Sequence, residues 1–124
     1  QSDVISIHLH LNDETRNMID ERALRKMKKS VYLVNTANAG IIDEHALRMA
    51  LERGEIAGYA ADVLDNFQSG PEANTFLSHP LVDYAKSHRN VIIVPRTGGM
   101  THESREMTDV FIAQKLAKYL AEKA

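Results

Sequence analysis

The most constraining stretch of this sequence is an apolar run that passes without a break into a small, polar loop. Residues 31–40 read Val-Tyr-Leu-Val-Asn-Thr-Ala-Asn-Ala-Gly, and Asp43 then begins a helical pattern. In open α/β sheets, ligands bind where the carboxyl ends of strands meet such loops and helix N-termini. The stretch is therefore a candidate ligand site.

Four short runs along the chain have the composition of buried strands. They are rich in β-branched or small apolar residues and are bounded by turn-forming residues, which favours strand over helix. The runs are residues 4–9, 31–35, 56–62 and 91–94.

Helical patterns separate or follow most of these runs. Each begins with a residue type that caps helix N-termini, namely Asp20, Asp43 and Thr101. Gly54 stands where the second helix should stop. The periodicity lapses over residues 63–90, which predicts a long loop.

Alternation of strands with helices predicts a parallel sheet with right-handed crossovers. The expected fold is α/β, a partial Rossmann-type (doubly wound) parallel sheet of about four strands with flanking helices. We expect one domain over residues 1–124, with a final helix over residues 102–123.

Charge and cysteine content exclude several classes of function. The formal net charge is -2, so neither nucleic acid nor an anionic membrane is an expected partner. The chain has no cysteine, which rules out a disulfide framework and a thiolate zinc site. The first residues lack a signal-peptide pattern, so the expected location is cytoplasmic.

Residues with hydrogen-bonding groups lie at or just after the end of each predicted strand. Because the carboxyl ends of parallel strands share one edge, we expect these residues to converge on a common crevice. They are His8, His10, Asn35, Thr36, Asn38, Asp62, Arg96, Gly98 and Gly99.

Six segments in order give the chain a family resemblance. Among them are Val-Asn-Thr-Ala at residues 34–37, Ile-Asp-Glu-His-Ala-Leu at 42–47, Gly-Tyr-Ala-Ala-Asp-Val at 58–63, His-Pro-Leu at 79–81 and Asn-Val-Ile-Ile-Val-Pro at 90–95. With residues 2–8, they resemble the NAD-binding domain of the D-isomer-specific 2-hydroxyacid dehydrogenases. No G-x-G-x-x-G is present, so the chain resembles the second half of that domain.

The resemblance implies an oxidoreductase that moves a hydride between nicotinamide and a 2-hydroxy or 2-keto acid. The implied cofactor is NAD, with NADP as the alternative. By match to the family's segments, the expected cofactor-binding residues are His8, Thr36, Ala37, Asp62, Gly98 and Gly99.

The sequence departs from the family at its catalytic positions. Asn38 stands where the family has a substrate-binding Arg, and Arg96 stands where it has an acid/base His. The region of the family's Glu reads Asp-Asn-Phe-Gln at residues 65–68. The Asn38 side chain is uncharged and cannot bind a substrate carboxylate through two charge-assisted hydrogen bonds. An arginine cannot exchange a proton near neutral pH, because the pKa of its guanidinium lies above about 12.

These departures leave a second function open. The alternative is a catalytically impaired module for dinucleotide sensing or protein association. A homodimer that covers an open sheet edge is a further expectation.

Individual residues also allow two interpretations. His8 and His10 share a strand face and could bind a metal, but no third ligand is suggested, and no metal is expected. For Asp62 the two interpretations are cofactor binding and the capping of a loop. For Arg96 they are substrate binding and a solvated position in a turn.

The last helix raises the same question. His102 and Glu103 either replace the missing acid or are surface residues of the first turn. The apolar residues of this helix are expected to form core or interface packing. They are Met107, Val110, Phe111, Ala117 and Leu120.

Overall fold

Four parallel strands form the centre of the molecule. In the computed structural model, which describes residues 2–64, 79–94, 96, 98 and 101–123, the strands are β1 (Val4–Ile7), β2 (Tyr32–Asn35), β3 (Gly58–Ala61) and β4 (Val91–Ile93). They lie in the order β1-β2-β3-β4, and every neighbouring pair is parallel. The predicted α/β fold with a four-stranded parallel sheet is confirmed.

The helices in chain order are α1 (Glu21–Arg25), α2 (Glu44–Glu52), α3 (Pro80–Ser87) and α4 (His102–Ala121). A short 3₁₀ helix, Ala39–Ile41, follows β2. Because the strands follow one another in a single direction, right-handed crossovers place α1, α2 and α3 on the same face of the sheet. Leu24 of α1, Leu47 of α2 and Leu81 of α3 are fully buried there.

The two faces of the sheet have different environments. Side chains that point toward α1–α3 are buried, including Leu33, Tyr59 and Val91. On the opposite side, Val4, Tyr32 and Ile92 are 60%, 54% and 62% exposed. We call this second side the open face; it carries the alternate residues of each strand.

Two predicted N-caps bind the backbone of their helices as expected. Asp20 accepts from the Ala23 N–H, and Asp43 accepts from the Ala46 N–H at 3.0 Å. Gly54 follows the end of α2 with a φ of +63°, a left-handed conformation that glycine adopts without strain. These caps set where α1 and α2 begin and where α2 stops.

The prediction of a loop through residues 63–90 is wrong for its last part, because α3 lies there. Pro80 occupies the first turn of α3, where the missing N–H of proline is not needed. The His79 Nδ1 accepts from the Leu81 N–H at 3.2 Å, and Nε2 lies 2.9 Å from Glu44 of α2. The side chain of His79 therefore caps α3 and ties it to α2.

The final helix was expected over residues 102–123 and runs from His102 to Ala121. Thr101 accepts from the Ser104 N–H, which confirms the predicted N-cap. None of the α4 side chains is buried, and Met107 is 73% exposed. Of the two expectations for its apolar residues, packing in the core is wrong, and packing at an interface stays a prediction.

A buried phenol gives the fold a testable response to alkaline pH. The Tyr59 hydroxyl is buried and has no hydrogen-bond partner among the described residues. Burial raises the pKa of Tyr59, the Glu44 carboxylate raises it further, and the neighbouring Asn35 side chain offsets a smaller part of this rise. The folded state therefore favours the neutral phenol.

Tyr59→Phe is expected to leave the free energy of unfolding at neutral pH unchanged or to raise it by about 1 kcal/mol, because no hydrogen bond is lost. The unfolded chain ionises Tyr59 from about pH 10, so this stabilisation is complete below that pH and is lost above it. Urea unfolding at rising pH should show a steeper loss for the wild type than for Tyr59→Phe. The exposed Tyr32→Phe is the control, and equal slopes for all three proteins would contradict the assignment.

Candidate functional site

A row of side chains lies one residue beyond the last paired row of the sheet. Ile7, Asn35, Ala61 and Ile93 form that last paired row. Hydrogen bonds from the Asp62 N–H to the Asn35 carbonyl and from the Val94 N–H to the Ala61 carbonyl extend the ladder by one residue. The next residues, which we call the edge row, are His8, Thr36, Asp62 and Val94.

The edge row belongs to the open face because side chains alternate along a strand. His8 and Thr36 are exposed and Asp62 is half-buried, whereas the preceding Ile7, Asn35 and Ala61 are all buried. Three of the predicted cofactor-binding residues therefore lie together on one face, at the carboxyl ends of adjacent strands. That is where parallel sheets bind ligands.

His8 is oriented by a residue that the sequence interpretation did not single out. Its Nε2 lies 2.8 Å from the Ser6 hydroxyl, two residues earlier on the same face. In the sequence, the two-residue spacing of Ser6 and His8 along a predicted strand is the feature that could have indicated this contact. This contact directs the His8 ring along the open face.

The loop after β2 is held by the side chain of Asn35. Its Nδ2 donates to the Asn38 carbonyl at 2.9 Å, and its Oδ1 accepts from the Ala37 N–H at 3.0 Å. Asn35 itself is 0% exposed and faces the helices. It was expected in the crevice, but it lies on the covered face and supports the loop from below.

The side chain of Asn38 forms a hydrogen bond with the backbone of its own loop. Its Oδ1 accepts from the Gly40 N–H at 3.1 Å and so caps the 3₁₀ helix Ala39–Ile41. The backbone of this helix also accepts bonds from the segment before α1, from the Asn17 N–H to the Gly40 carbonyl and from the Ile19 N–H to the Ile41 carbonyl. Position 38, where the family resemblance implies an arginine, therefore holds a side chain that caps the loop.

Asp62 fixes the turn that follows β4. Its carbonyl accepts from the Arg96 N–H at 3.1 Å, and its Oδ2 lies 3.4 Å from the Gly98 N–H. A Cβ at Gly98 would lie 3.2 Å from that Oδ2, which is tighter than an ordinary contact. Arg96 is exposed and has a φ of +52°. Arg96 and Gly98 therefore lie next to Asp62, as the prediction of a common crevice requires.

Some predicted residues contribute less or fall outside the description. Ala37 is half-buried, and its backbone N–H donates to the Asn35 Oδ1. Gly99 and residues 65–68 lie outside the described residues. Within the described part of the chain, no group of three His, Asp or Glu side chains could hold a metal ion.

The first turn of α4 is a poor source of a catalytic acid. The pKa of Glu103 is lowered by its backbone N–H and by the Thr101 hydroxyl, which favours the ionised carboxylate. A carboxylate that stays ionised cannot donate a proton. This finding agrees with the interpretation of Glu103 as a surface residue.

A concave surface lies away from the edge row, between α2 and α3. This groove of about 370 Å³ is lined by Arg48, Tyr84 and His88, among others. Arg48 pairs with Glu52 at 2.8 Å, and the His88 ring stacks on Tyr84 with ring centroids 3.8 Å apart. These internal contacts occupy the groups that would bind a ligand, so the edge row is the better candidate.

The parallel sheet and its edge row are those of a dinucleotide-binding α/β domain. Residues 1–98 match the family model described as D-isomer specific 2-hydroxyacid dehydrogenase, NAD binding domain. The chain belongs to this family, whose members are NAD-dependent oxidoreductases. Among the described residues, no helix has the length and hydrophobicity needed to cross a bilayer.

Relatives support this assignment in sequence and in structure. A glyoxylate reductase of Thermofilum pendens is 38% identical over 97% of the chain, which spans 32% of that protein. The NAD-complexed D-isomer specific 2-hydroxyacid dehydrogenase of Lactobacillus delbrueckii ssp. bulgaricus is 33% identical, with a TM-score of 0.76 over 97% of the chain and 38% of its own.

A third relative binds the other nicotinamide cofactor. The Xanthobacter autotrophicus Py2 enzyme in complex with NADPH and MES is 27% identical, with a TM-score of 0.62 over 77% of this chain and 27% of its own. The chain spans about a third of the length of the curated relatives that it matches. Solved neighbours of this fold thus include both NAD and NADPH complexes.

The two asparagines of the β2 loop should differ in their effect on stability. Asn35→Ala removes two hydrogen bonds from a buried position and is expected to cost about 2–3 kcal/mol of the free energy of unfolding. Asn38→Ala removes one exposed cap and should cost about 1 kcal/mol. Urea unfolding measures both values, and an equal or reversed order would show that Asn35 does not support the loop.

Proposed function

We propose that this chain forms the nicotinamide-side wall of an NAD(P) site in an oxidoreductase of 2-hydroxy and 2-keto acids. One observation carries the proposal, namely that His8, Thr36 and Asp62 lie in one row on the open face at the carboxyl edge of the sheet. Family membership supplies the cofactor class. The substrate class comes from relatives such as glyoxylate reductase.

The residues of the edge row are chemically suited to a nicotinamide ring. The Asp62 carboxylate, placed beside the Gly98 N–H, is an acceptor for the carboxamide N–H groups of the ring. The Thr36 hydroxyl donates or accepts, and the missing Cβ of Gly98 leaves room next to Asp62. When bound, the cofactor supplies or accepts the hydride.

Arg96 and Asn38 shape the chemistry that this site supports. An arginine side chain is a fixed cation with hydrogen-bond donors only, so Arg96 contributes a positive charge for a substrate carboxylate and no acid/base step. The proton that balances hydride transfer to a 2-keto acid then comes from solvent. Asn38 offers no second cation, because its side chain caps the 3₁₀ helix.

Cofactor binding can be tested with the reduced nicotinamide mononucleotide, which carries only the half of NADH assigned to this chain. Its fluorescence should change on titration with the wild type, with a Kd in the millimolar range. Asp62→Ala should weaken binding by about 10-fold, the effect of one charge-assisted hydrogen bond. Asp83→Ala, which removes an exposed α3 carboxylate paired with Lys86, is the matched control.

Identical titrations for wild type and Asp62→Ala would reject the cofactor site. A loss of binding in both Asp62→Ala and Asp83→Ala would point to a general electrostatic effect instead. Folding of each variant is checked by its urea midpoint.

The pH dependence of turnover tests the role of Arg96. With NADH and a panel of 2-keto acids, any turnover by the wild type should be flat across neutral pH, because no imidazole titrates at position 96. Arg96→His should introduce a pH dependence centred near the histidine pKa of about 6.5. A wild-type profile that already falls through this range would show that another residue acts as the acid.

The second candidate function is a dinucleotide-sensing or protein-association module without turnover. The substitutions at positions 38 and 96 favour it. It predicts nicotinamide binding with no turnover of any 2-keto acid in the panel. A homodimer and a cytoplasmic location stay predictions under either function.

A further inference from the structure

The edge row is long enough to contact more of a nicotinamide nucleotide than its ring. Continued by one residue, the register of β1, β2 and β3 places His8 beside Thr36 and Thr36 beside Asp62. Neighbouring strands lie about 4.8 Å apart, so His8 and Asp62 are separated by roughly 10 Å. In nicotinamide mononucleotide, about ten bonds of roughly 1.5 Å join the carboxamide nitrogen to the phosphorus, a path that bond angles shorten to about 10 Å. The row and the mononucleotide therefore match in length.

The two ends of this row differ in charge. At one end, the Asp62 carboxylate accepts hydrogen bonds from groups such as a carboxamide N–H and repels a phosphate. At the other end, the His8 imidazole donates a hydrogen bond when it is neutral and is a cation when it is protonated. The Thr36 hydroxyl lies between them, where a ribose would lie. The row therefore favours a nucleotide with its carboxamide at Asp62 and its phosphate at His8.

The Ser6 hydroxyl prepares the His8 ring to bind an anion. It lies 2.8 Å from the His8 Nε2, and Nδ1 has no hydrogen-bond partner among the described residues. When the hydroxyl donates to Nε2, the proton of the neutral ring is on Nδ1, which then donates to an anion. When the ring is protonated, Nε2–H donates to the hydroxyl and Nδ1–H remains a donor. In both of these states, Ser6 holds the ring and Nδ1 is available to a phosphate oxygen.

Arg96 is the competing partner for a phosphate. Its side chain is exposed and carries a fixed positive charge. Its backbone N–H binds the Asp62 carbonyl at 3.1 Å, so a phosphate held near Arg96 would also lie near the Asp62 carboxylate. The residues that share the open face of β1 with His8 are Val4 and Ser6, and neither is charged. Repulsion by Asp62 therefore favours His8 over Arg96.

We propose that His8, held by Ser6, binds the 5′-phosphate of the nicotinamide half of the cofactor, with the carboxamide two strands away at Asp62. His8 contacts the phosphate, and Ser6 is a positioning residue that acts through His8. This assignment rests on the proposed function, because it requires a nicotinamide at the edge row. It adds a phosphate-binding pair and a direction in which the nucleotide lies along the row.

Two ligands that differ only in the phosphate test the pair. The fluorescence titration with reduced nicotinamide mononucleotide is repeated with reduced nicotinamide riboside, which lacks the phosphate. The wild type should bind the mononucleotide about 10-fold more tightly, the effect of one charge-assisted hydrogen bond. His8→Ala should abolish this preference. His45→Ala, which removes an exposed imidazole of α2, is the matched control and should keep it.

The positioning role of Ser6 is tested by rescue and by the spectrum of the ring. Ser6→Ala should lose most of the preference for the mononucleotide, and Ser6→Thr, which keeps the hydroxyl, should restore it. The ¹⁵N spectrum of the His8 ring should show a proton on Nδ1 when the mononucleotide is bound to the wild type. An unprotonated Nδ1 in that complex, or a full preference in Ser6→Ala, would contradict the role.

Asp62→Ala separates the phosphate pair from the cofactor site on which it rests. This variant should weaken both ligands alike and keep the preference for the phosphate. If the wild type binds neither ligand, the cofactor site and the phosphate pair are both rejected. Binding of both ligands without preference would overturn the pair alone, as would a preference that Arg96→Gln abolishes and His8→Ala keeps. Inorganic phosphate that binds His8 as tightly as the mononucleotide would show a general anion site and would also overturn it.

Discussion

The register of four parallel strands is the constraint on which the rest of the structure depends. Ile7, Asn35, Ala61 and Ile93 lie side by side and face the helices, so the next residue of each strand must face the other way. A slip of one residue would bury Asp62 and expose Ala61. The same alternation therefore builds the core and the candidate site, which cannot be changed independently.

The loop after β2 is held by two asparagines whose side chains bind the backbone. Asn35 anchors the loop from the covered face, while Asn38 closes the 3₁₀ helix above it. An arginine side chain at position 38 could not accept the Gly40 N–H, since a guanidinium has no acceptor. The cap of this loop thus depends on an acceptor at position 38, where the family resemblance implies an arginine.

Local chemistry explains which features the sequence predicted. Asp20, Asp43 and Thr101 cap helices because each acts on the backbone three residues away, and a sequence displays that relation directly. The helix that begins at Pro80 falls within the loop predicted over residues 63–90, because the sequence does not display the tie between His79 and Glu44, which are far apart in the chain. Asn35 was placed in the crevice because sequence spacing alone did not fix its face. The exposure of the α4 side chains depends on which other surfaces pack against the helix. The residues of α4 alone do not identify those surfaces.

The function proposed for this chain requires that the edge row on the open face receives the nicotinamide ring. Amide chemical-shift mapping of the ¹⁵N-labelled chain with reduced nicotinamide mononucleotide tests it most directly. Perturbations are expected to cluster at His8, Thr36, Asp62 and Gly98, with none at Arg48, Tyr84 or His88. Perturbations confined to the groove between α2 and α3, with the edge row unchanged, would contradict it.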